Sequence, residues 1–193
     1  EPRLRWRSAG RKDTAQFIPY FRLDAVDGRR SHVDTREAYW RHVAGHWEFL
    51  IGVNRVFWGV TESRHLVNVI NQIDGVEDTD EEDYFGQPMV QVGYQAEIGR
   101  FDVFLMTGFR ERSFAGRKGR FRNANVVDTS EAGYDNKLAQ WYPEGALRYS
   151  HYMGAFDVGL HAFHGTGREP YLLADTESDR MVPRYTLISQ VGA

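Results

Sequence analysis

Cysteine is missing from all 193 residues, which excludes a disulfide framework, a thiolate metal site and a thiol nucleophile. Long apolar runs are missing too. The longest stretches, such as "VFLM" at Val103–Met106, fall far short of the ~18 residues a transmembrane helix needs. A mean hydropathy of −0.56 agrees with that exclusion. It does not exclude a membrane β-barrel, whose strands alternate their faces and average out as polar. Charge of one sign is not in large excess either. The formal net charge of −3 gives no electrostatic case for nucleic acid as a partner.

Signatures of catalysis are equally scarce. No Gly-x-Ser-x-Gly, His-Glu-x-x-His or phosphate-loop pattern occurs. His161 and His164 are three apart, which on a strand sends them to opposite faces and argues against a shared zinc. Ser150, His151 and Asp157 fall near one hairpin, but His151 has the wrong parity to join the other two. The expectation is a protein that is not an enzyme and uses no cofactor or metal.

What the chain does have is a phrase written repeatedly. Gly-x-Phe-Asp-Val-x-Leu occurs at Gly99–Leu105 and again at Gly154–Leu160, and Gly45-His-Trp-Glu-Phe-Leu-Ile is a third, looser copy. The three glycines are spaced 54 and 55 residues apart, a fixed period that marks a repeated supersecondary unit. Counting from each glycine, positions +2, +4, +6 and +8 are apolar in every case except Thr107. The opposite parity starts with Glu48, Asp102 and Asp157 and stays mixed. Such period-two alternation predicts hairpins with one uniformly apolar face. Strands are expected at about 16–25, 32–43, 46–57, 87–97, 100–109, 145–153, 155–164 and 183–191, with Asp27-Gly28 as a tight turn between the first two. Long polar connections at about 58–86, 110–144 and 165–182 alternate with short turns.

Alternation fits both a soluble sandwich and a membrane barrel, and three features favour the barrel. The segments around Gly99 and Gly154 approach the ~9–11 residues of a tilted transmembrane strand. Short turns at one end and long loops at the other match outer-membrane barrels. Trp47, Phe101 and Phe156 share an offset beside the short turns, with Trp40, Tyr94 and Tyr149 nearby, as an interfacial aromatic girdle would require. The predicted fold is therefore all-β, an antiparallel up-and-down transmembrane β-barrel in which 1–193 form a single unit.

The stretch from Val56 to Val90 strengthens that reading. Its Trp58-Gly59, its Val69-Ile70-Asn71 followed by Asp74, and its Pro88-Met89 resemble a group of Gram-negative outer-membrane β-barrel proteins of porin-like architecture. Gln72 stands where that group often has proline. "GFRER" at Gly108–Arg112 and "HGTGREP" at His164–Pro170 are similar to segments of the same proteins. The resemblance covers about residues 17–193 and implies a fold and an outer-membrane location. Such barrels usually end in an aromatic residue, whereas this chain starts at Glu1 without a leader and ends Ser-Gln-Val-Gly-Ala. A part of a larger barrel is expected.

If the apolar parity faces lipid, then Arg41, Glu48, Gln91, Gln95, Glu97, Asp102, Arg148, Ser150, Asp157 and His161 line the lumen. Acids at +3 would form part of a selectivity ring, or Glu48 and Asp157 would pair with Arg41 and Arg148 across strands. The apolar loop segment Arg64–Asp74 is expected to fold inward, either as a constriction offering Asn68, Asn71 and Gln72 to a solute or as a plug. The acidic run at 77–83 reads as a solvated loop, since the glycine of an EF-hand calcium loop is missing. The basic run Arg110–Arg122 could meet lipopolysaccharide phosphates or an anionic solute. Expected partners are outer-membrane lipid, lipopolysaccharide and a small hydrophilic solute passing through a porin-type channel. The alternatives are a closed or plugged outer-membrane barrel with a structural or adhesive role, and a soluble carbohydrate-binding β-sandwich.

Overall fold

The computed structural model describes residues 1–58, 68–77, 82–120, 122, 124–154, 156–175 and 180–193. Period-two alternation dominates, and the described residues contain fifteen strands. They are β1 (Leu4–Arg7), β2 (Asp13–Arg22), β3 (His32–Ala44), β4 (Trp47–Asn54), β5 (Gln72–Ile73), β6 (Tyr84–Phe85), β7 (Gln87–Ala96) and β8 (Gly99–Met106). After these come β9 (Val126–Val127), β10 (Gly133–Tyr134), β11 (Glu144–Met153), β12 (Phe156–Thr166), β13 (Tyr171–Asp175), β14 (Arg180–Tyr185) and β15 (Leu187–Gly192). Nine of them form one sheet in the order β1-β2-β3-β4-β7-β8-β11-β12-β15, every neighbouring pair antiparallel. The sheet is an open meander among the described residues: β1 and β15 are its two edges and do not pair with each other.

Seven of the eight expected strands coincide with members of this sheet to within a few residues. The eighth, 183–191, is divided. Its start belongs to β14, in a small second sheet with β9, β10 and β13, and its remainder is β15. The loop strands escape a periodicity argument because most are two residues long. β1 is missed because Leu-Arg-Trp-Arg is too short to show a pattern.

The Asp27-Gly28 tight turn is not formed. Gly28–Arg30 is instead a one-turn 3₁₀ helix, and the Asp27 carboxylate accepts the Arg29 amide at 3.2 Å. A short acidic side chain satisfying an orphan donor is a helix cap, which competes with a two-residue hairpin for the same sequence.

The β2–β3 pair carries a bulge. Ile18 faces Glu37 and Pro19 faces Thr35, so Arg36 is the extra residue. Pro19 has no N–H to give the ladder, which favours a break in pairing at that point. The bulge turns Arg36 inward, and its side chain is almost wholly buried.

The two faces of the large sheet differ sharply. On one, the register aligns Trp47, Tyr94, Phe101 and Tyr149 in a single row across β4, β7, β8 and β11. The rings touch, with Trp47–Tyr94 centroids at 4.6 Å and Phe101–Tyr149 at 4.9 Å. The next row is Phe49, Val92, Val103, Leu147, Ala162 and Val191, and the one beyond begins Trp40, Ile51, Val90 and Leu105. This face is open. Phe101 is 40% exposed, Val103 41% and Phe156 74%, whereas a sandwich core would seal them.

The level of some aromatics differs from the sequence expectation. Trp40 and Phe156 each lie two rows away from the Trp47–Tyr149 row, in opposite directions. The cause is turn geometry: Gly45 and Gly154 sit within their turns with φ near +61° and +62°, while Gly99 already pairs with Ala96 as the first strand residue of β8. Equal offsets from the glycine therefore do not mean equal heights.

The opposite face is covered. Leu50, Met89, Phe104, Met106, Ala146 and Phe163 point from it toward Trp58, Val69 and Ile70, forming the hydrophobic core. Gly52 enables the approach of β3 to β4 here. Its φ is +132°, and a Cβ would overlap the Ala38 carbonyl oxygen. Gly52→Ala should therefore destabilise the fold by at least the ~1–3 kcal/mol of a strained backbone, measurable as a lowered thermal midpoint.

Candidate functional site

Register divides the covered face into levels. Nearest the short turns lie Gln95, Arg100 and Ser150, followed by a row of Glu48, Gly93, Asp102, Arg148 and His161. Then comes a row of Thr14, Arg41, Leu50, Gln91, Phe104, Ala146 and Phe163. Beyond it lie Gln16, Tyr39, Met89, Met106 and Glu144. Polar chemistry thus concentrates toward the short turns, apolar side chains occupy the middle, and buried charge returns toward the long loops.

A charge ladder crosses the first three levels. Arg100 binds Asp102 at 2.8 Å and reaches Glu48, two strands away on β4, at 3.0 Å. Glu48 also meets Arg41 at 3.4 Å, and Gln91 donates to Asp102 at 2.9 Å. Gly93 on the intervening β7 leaves the necessary room, since a Cβ there would lie 2.5 Å from the Arg100 guanidinium. Four expected lumen residues, Arg41, Glu48, Gln91 and Asp102, come together in this ladder, with Arg100 as an unforeseen hub. Gly93→Val should push the guanidinium off Glu48 and weaken the β4–β8 link, a change visible as a Glu48 carboxyl resonance shifting toward its free value.

The remaining candidates are dispersed. Arg148 does not pair with Asp157. It donates to the Trp58 carbonyl at 3.2 Å, while Asp157 sits opposite Tyr152, exposed near the turn. Register places His161, not Asp157, across from Arg148. His161 lies against the Trp58 ring at 5.5 Å, and its Nε2 is buried without a partner among the described residues. Gln95 is exposed and bonds the Ala96 carbonyl, Ser150 lies directly opposite Arg100, and Glu97 occupies the exposed turn beyond β7 and not the strand wall.

The connecting segment does run onto this face. Asn71 is 1% exposed, and its side chain bonds both the amide and carbonyl of Val56 and also Asn68. Gln72 is equally buried, and its Oε1 accepts the Ile73 amide. Asn71 therefore serves main-chain and local contacts, whereas Asn68 Nδ2 and Gln72 Nε2 are buried without a partner among the described residues. Residues 64–67 of the expected inward segment lie outside the described residues, as do 78–81 of the acidic run.

Two buried ion-pair knots pin this segment, and neither was legible in the sequence. Arg36 binds Asp74 at 2.6 Å and Asp34 at 3.2 Å, with its guanidinium over the Tyr20 ring at 4.1 Å. Asp74 also accepts the Ser113 hydroxyl at 2.6 Å, and Asp34 accepts Arg110 at 2.6 Å. Across the sheet, Arg168 binds Glu144 through two nitrogens, at 2.7 and 3.0 Å, and donates to the carbonyls of Ile70 and Thr166. His32, Asp74 and Glu77 bring donor atoms within 4.8 Å of one another. Both carboxylates there are already bound by arginine, Asp74 by Arg36 and Glu77 by Arg22 at 2.7 Å, so the cluster acts as a clamp between strand ends and loop.

That clamp is pH-sensitive. Burial raises the Glu77 pKa, but hydrogen bonds from Arg22 and Tyr20 outweigh it and hold the carboxyl below its ordinary value. A lowered folded-state pKa contributes stability that is present above the unfolded value and lost as pH falls through the folded one. Hydrogen exchange in residues 72–77 should therefore accelerate as pH drops below about 4, near the ordinary glutamate pKa, and Glu77→Gln should flatten that dependence.

No protein family, curated protein or solved structure matches this chain.

Proposed function

We propose that this chain forms the wall of an outer-membrane β-barrel in a Gram-negative bacterium, of porin type, admitting a small hydrophilic solute past a narrowed interior. The supporting observation is the open apolar face: aliphatic side chains in successive rows, bounded toward the short turns by four aromatics in register. A contiguous exposed apolar surface of this kind marks a site of contact with a partner or a membrane. In a bilayer it is the expected exterior, with an aromatic row at one interface. The polar ladder on the other face then meets water inside the barrel. No helix among the described residues is long and apolar enough to cross a membrane, so crossing would fall to the strands.

The reading requires both sheet edges, β1 and β15, to be paired in the bilayer, because unpaired N–H and C=O groups are not tolerated in hydrocarbon. It also assigns a selectivity role to the Arg41–Glu48–Arg100–Asp102 ladder, whose charges span three successive levels toward the short turns.

One observation favours a second reading, a plugged barrel with a structural or adhesive role. The middle level of the covered face is filled by Trp58, Val69 and Ile70 against Phe104 and Phe163. Planar-bilayer recordings separate the two. The channel reading expects small discrete conductance steps that grow when Asn71→Ala frees the segment from Val56. Silence from correctly folded protein supports the plug.

A further inference from the structure

The basic run of the second long connection does not lie loose on the surface. Gly116 donates its amide to the buried Asp27 carboxylate at 2.8 Å, so the loop is fastened beside the 3₁₀ turn that carries Arg29. Gly116 and Gly119 both pass so close to that carboxylate that any Cβ would strike it. The same turn is tied to β9, where Arg29 donates to the Val127 carbonyl at 2.6 Å. β9 in turn pairs with β14, which presents Arg180 opposite Val126. Three arginines from three separate segments are thereby fixed around one hollow. Arg29, Arg117, Val126, Asp128 and Arg180 line a cavity of about 280 Å³.

Charge in this hollow is unbalanced. Its single carboxylate, Asp128, is committed to Arg180 at 2.7 Å and to the amide and hydroxyl of Ser130. Those bonds, Ser130's first, hold the Asp128 carboxyl below its ordinary range, so it stays a committed anion at neutral pH. Three guanidiniums facing one carboxylate leave an excess of two positive charges. Arg117 has no recorded side-chain partner among the described residues. Guanidinium forks match the paired oxygens of a phosphate. At ~30 Å³ for each water in the liquid, the hollow holds roughly nine waters, room for a phosphate and part of the group that bears it.

We propose that the Arg29–Arg117–Arg180 cavity is a binding site for a phosphate monoester. Two sources carry that chemistry: the phosphorylated sugar of a lipopolysaccharide anchored in the outer leaflet, and a soluble sugar phosphate. The site itself does not depend on the membrane reading; only the lipid source does.

The test titrates the whole chain in zwitterionic detergent with glucose 1-phosphate, followed by ³¹P resonance and calorimetry. A parallel arm measures capture by vesicles with and without a lipid bearing a sugar phosphomonoester. Saturable binding in either arm is expected, and the arm with tighter binding names the source. Arg117→Gln, which removes no recorded internal bond, should weaken it by roughly tenfold or more, the value of a charged hydrogen bond. Lys118→Gln, a neighbouring exposed cation, should leave it within about twofold, as expected for a rim charge. Failure to bind in both arms overturns the proposal. So does equal weakening by Arg117→Gln and Lys118→Gln, which would mean diffuse surface attraction. Circular dichroism confirms that each variant remains folded.

Discussion

Arg168→Ala is expected to remove about 3–5 kcal/mol of stability, the usual cost of leaving one member of a buried ion pair unpartnered. Glu144 has no exposed side-chain surface and Arg168 only 8%. The guanidinium does more than neutralise. It holds the Ile70 carbonyl, and therefore the inward segment, against the sheet, and it lies over the Phe109 and Phe163 rings at 5.0 and 5.4 Å. Alanine would strand the Glu144 carboxylate, which would be left with only the Thr166 amide at 3.0 Å. The double variant Arg168→Met with Glu144→Gln should recover part of the loss, since it keeps the volume and removes the orphaned charge. Thermal unfolding in detergent reads both effects. An Arg168→Ala midpoint equal to that of the parent would show that this knot does not hold the segment.

Val103→Arg should impair folding into lipid vesicles far more than an arginine placed on the opposite face of the same sheet. An arginine at the bilayer mid-plane costs roughly 2–4 kcal/mol on the lipid side of a barrel, falling toward zero near the interfaces. Val103 stands one row inside the aromatic row of Trp47, Tyr94, Phe101 and Tyr149, away from the turns. Ser150→Arg, on the opposite face among polar neighbours, should cost far less. The pair of variants makes a differential test. Equal folding efficiency of both in vesicles would remove the distinction between a lipid face and a water face.

Much of the large sheet was legible because period-two alternation continues for ten or so residues in each repeat, long enough to fix both element type and face. The parity assignment drew its strength from the same source. It correctly grouped Arg41, Glu48, Gln91 and Asp102 on one side. Arg100 shares that parity but was passed over, because its neighbours Ile98 and Gly99 read as turn. Pairing between strands was beyond reach. Whether Arg148 meets Asp157 or His161 depends on a turn's register, and a four-residue difference in pairing exchanges one for the other.

Buried charges were hidden for a related reason. Arg36 is inward only because a bulge opposite Pro19 inserts it, and a bulge interrupts the very alternation used to read the strand. Arg168 and Glu144 look like ordinary charged residues at a strand end. Their roles emerge only when Ile70, nearly a hundred positions earlier, arrives with a carbonyl to satisfy. The Arg29, Arg117 and Arg180 cavity is likewise assembled by contacts between loops, where the chain has no periodicity to reveal them.

The account rests on which side of the sheet touches hydrocarbon, and the cysteine-free chain suits a direct measurement. Single cysteines placed in turn at Phe101, Asp102, Val103, Phe104 and Leu105 can carry a nitroxide in lipid vesicles. Collisions with oxygen, which concentrates in the bilayer, are then compared with collisions with a water-soluble nickel complex. Dominant oxygen collisions at 101, 103 and 105, with low values at 102 and 104, are the expected alternation. Strong nickel collisions at 103 and 105 would mean that this face meets water, and the membrane-barrel account would be wrong.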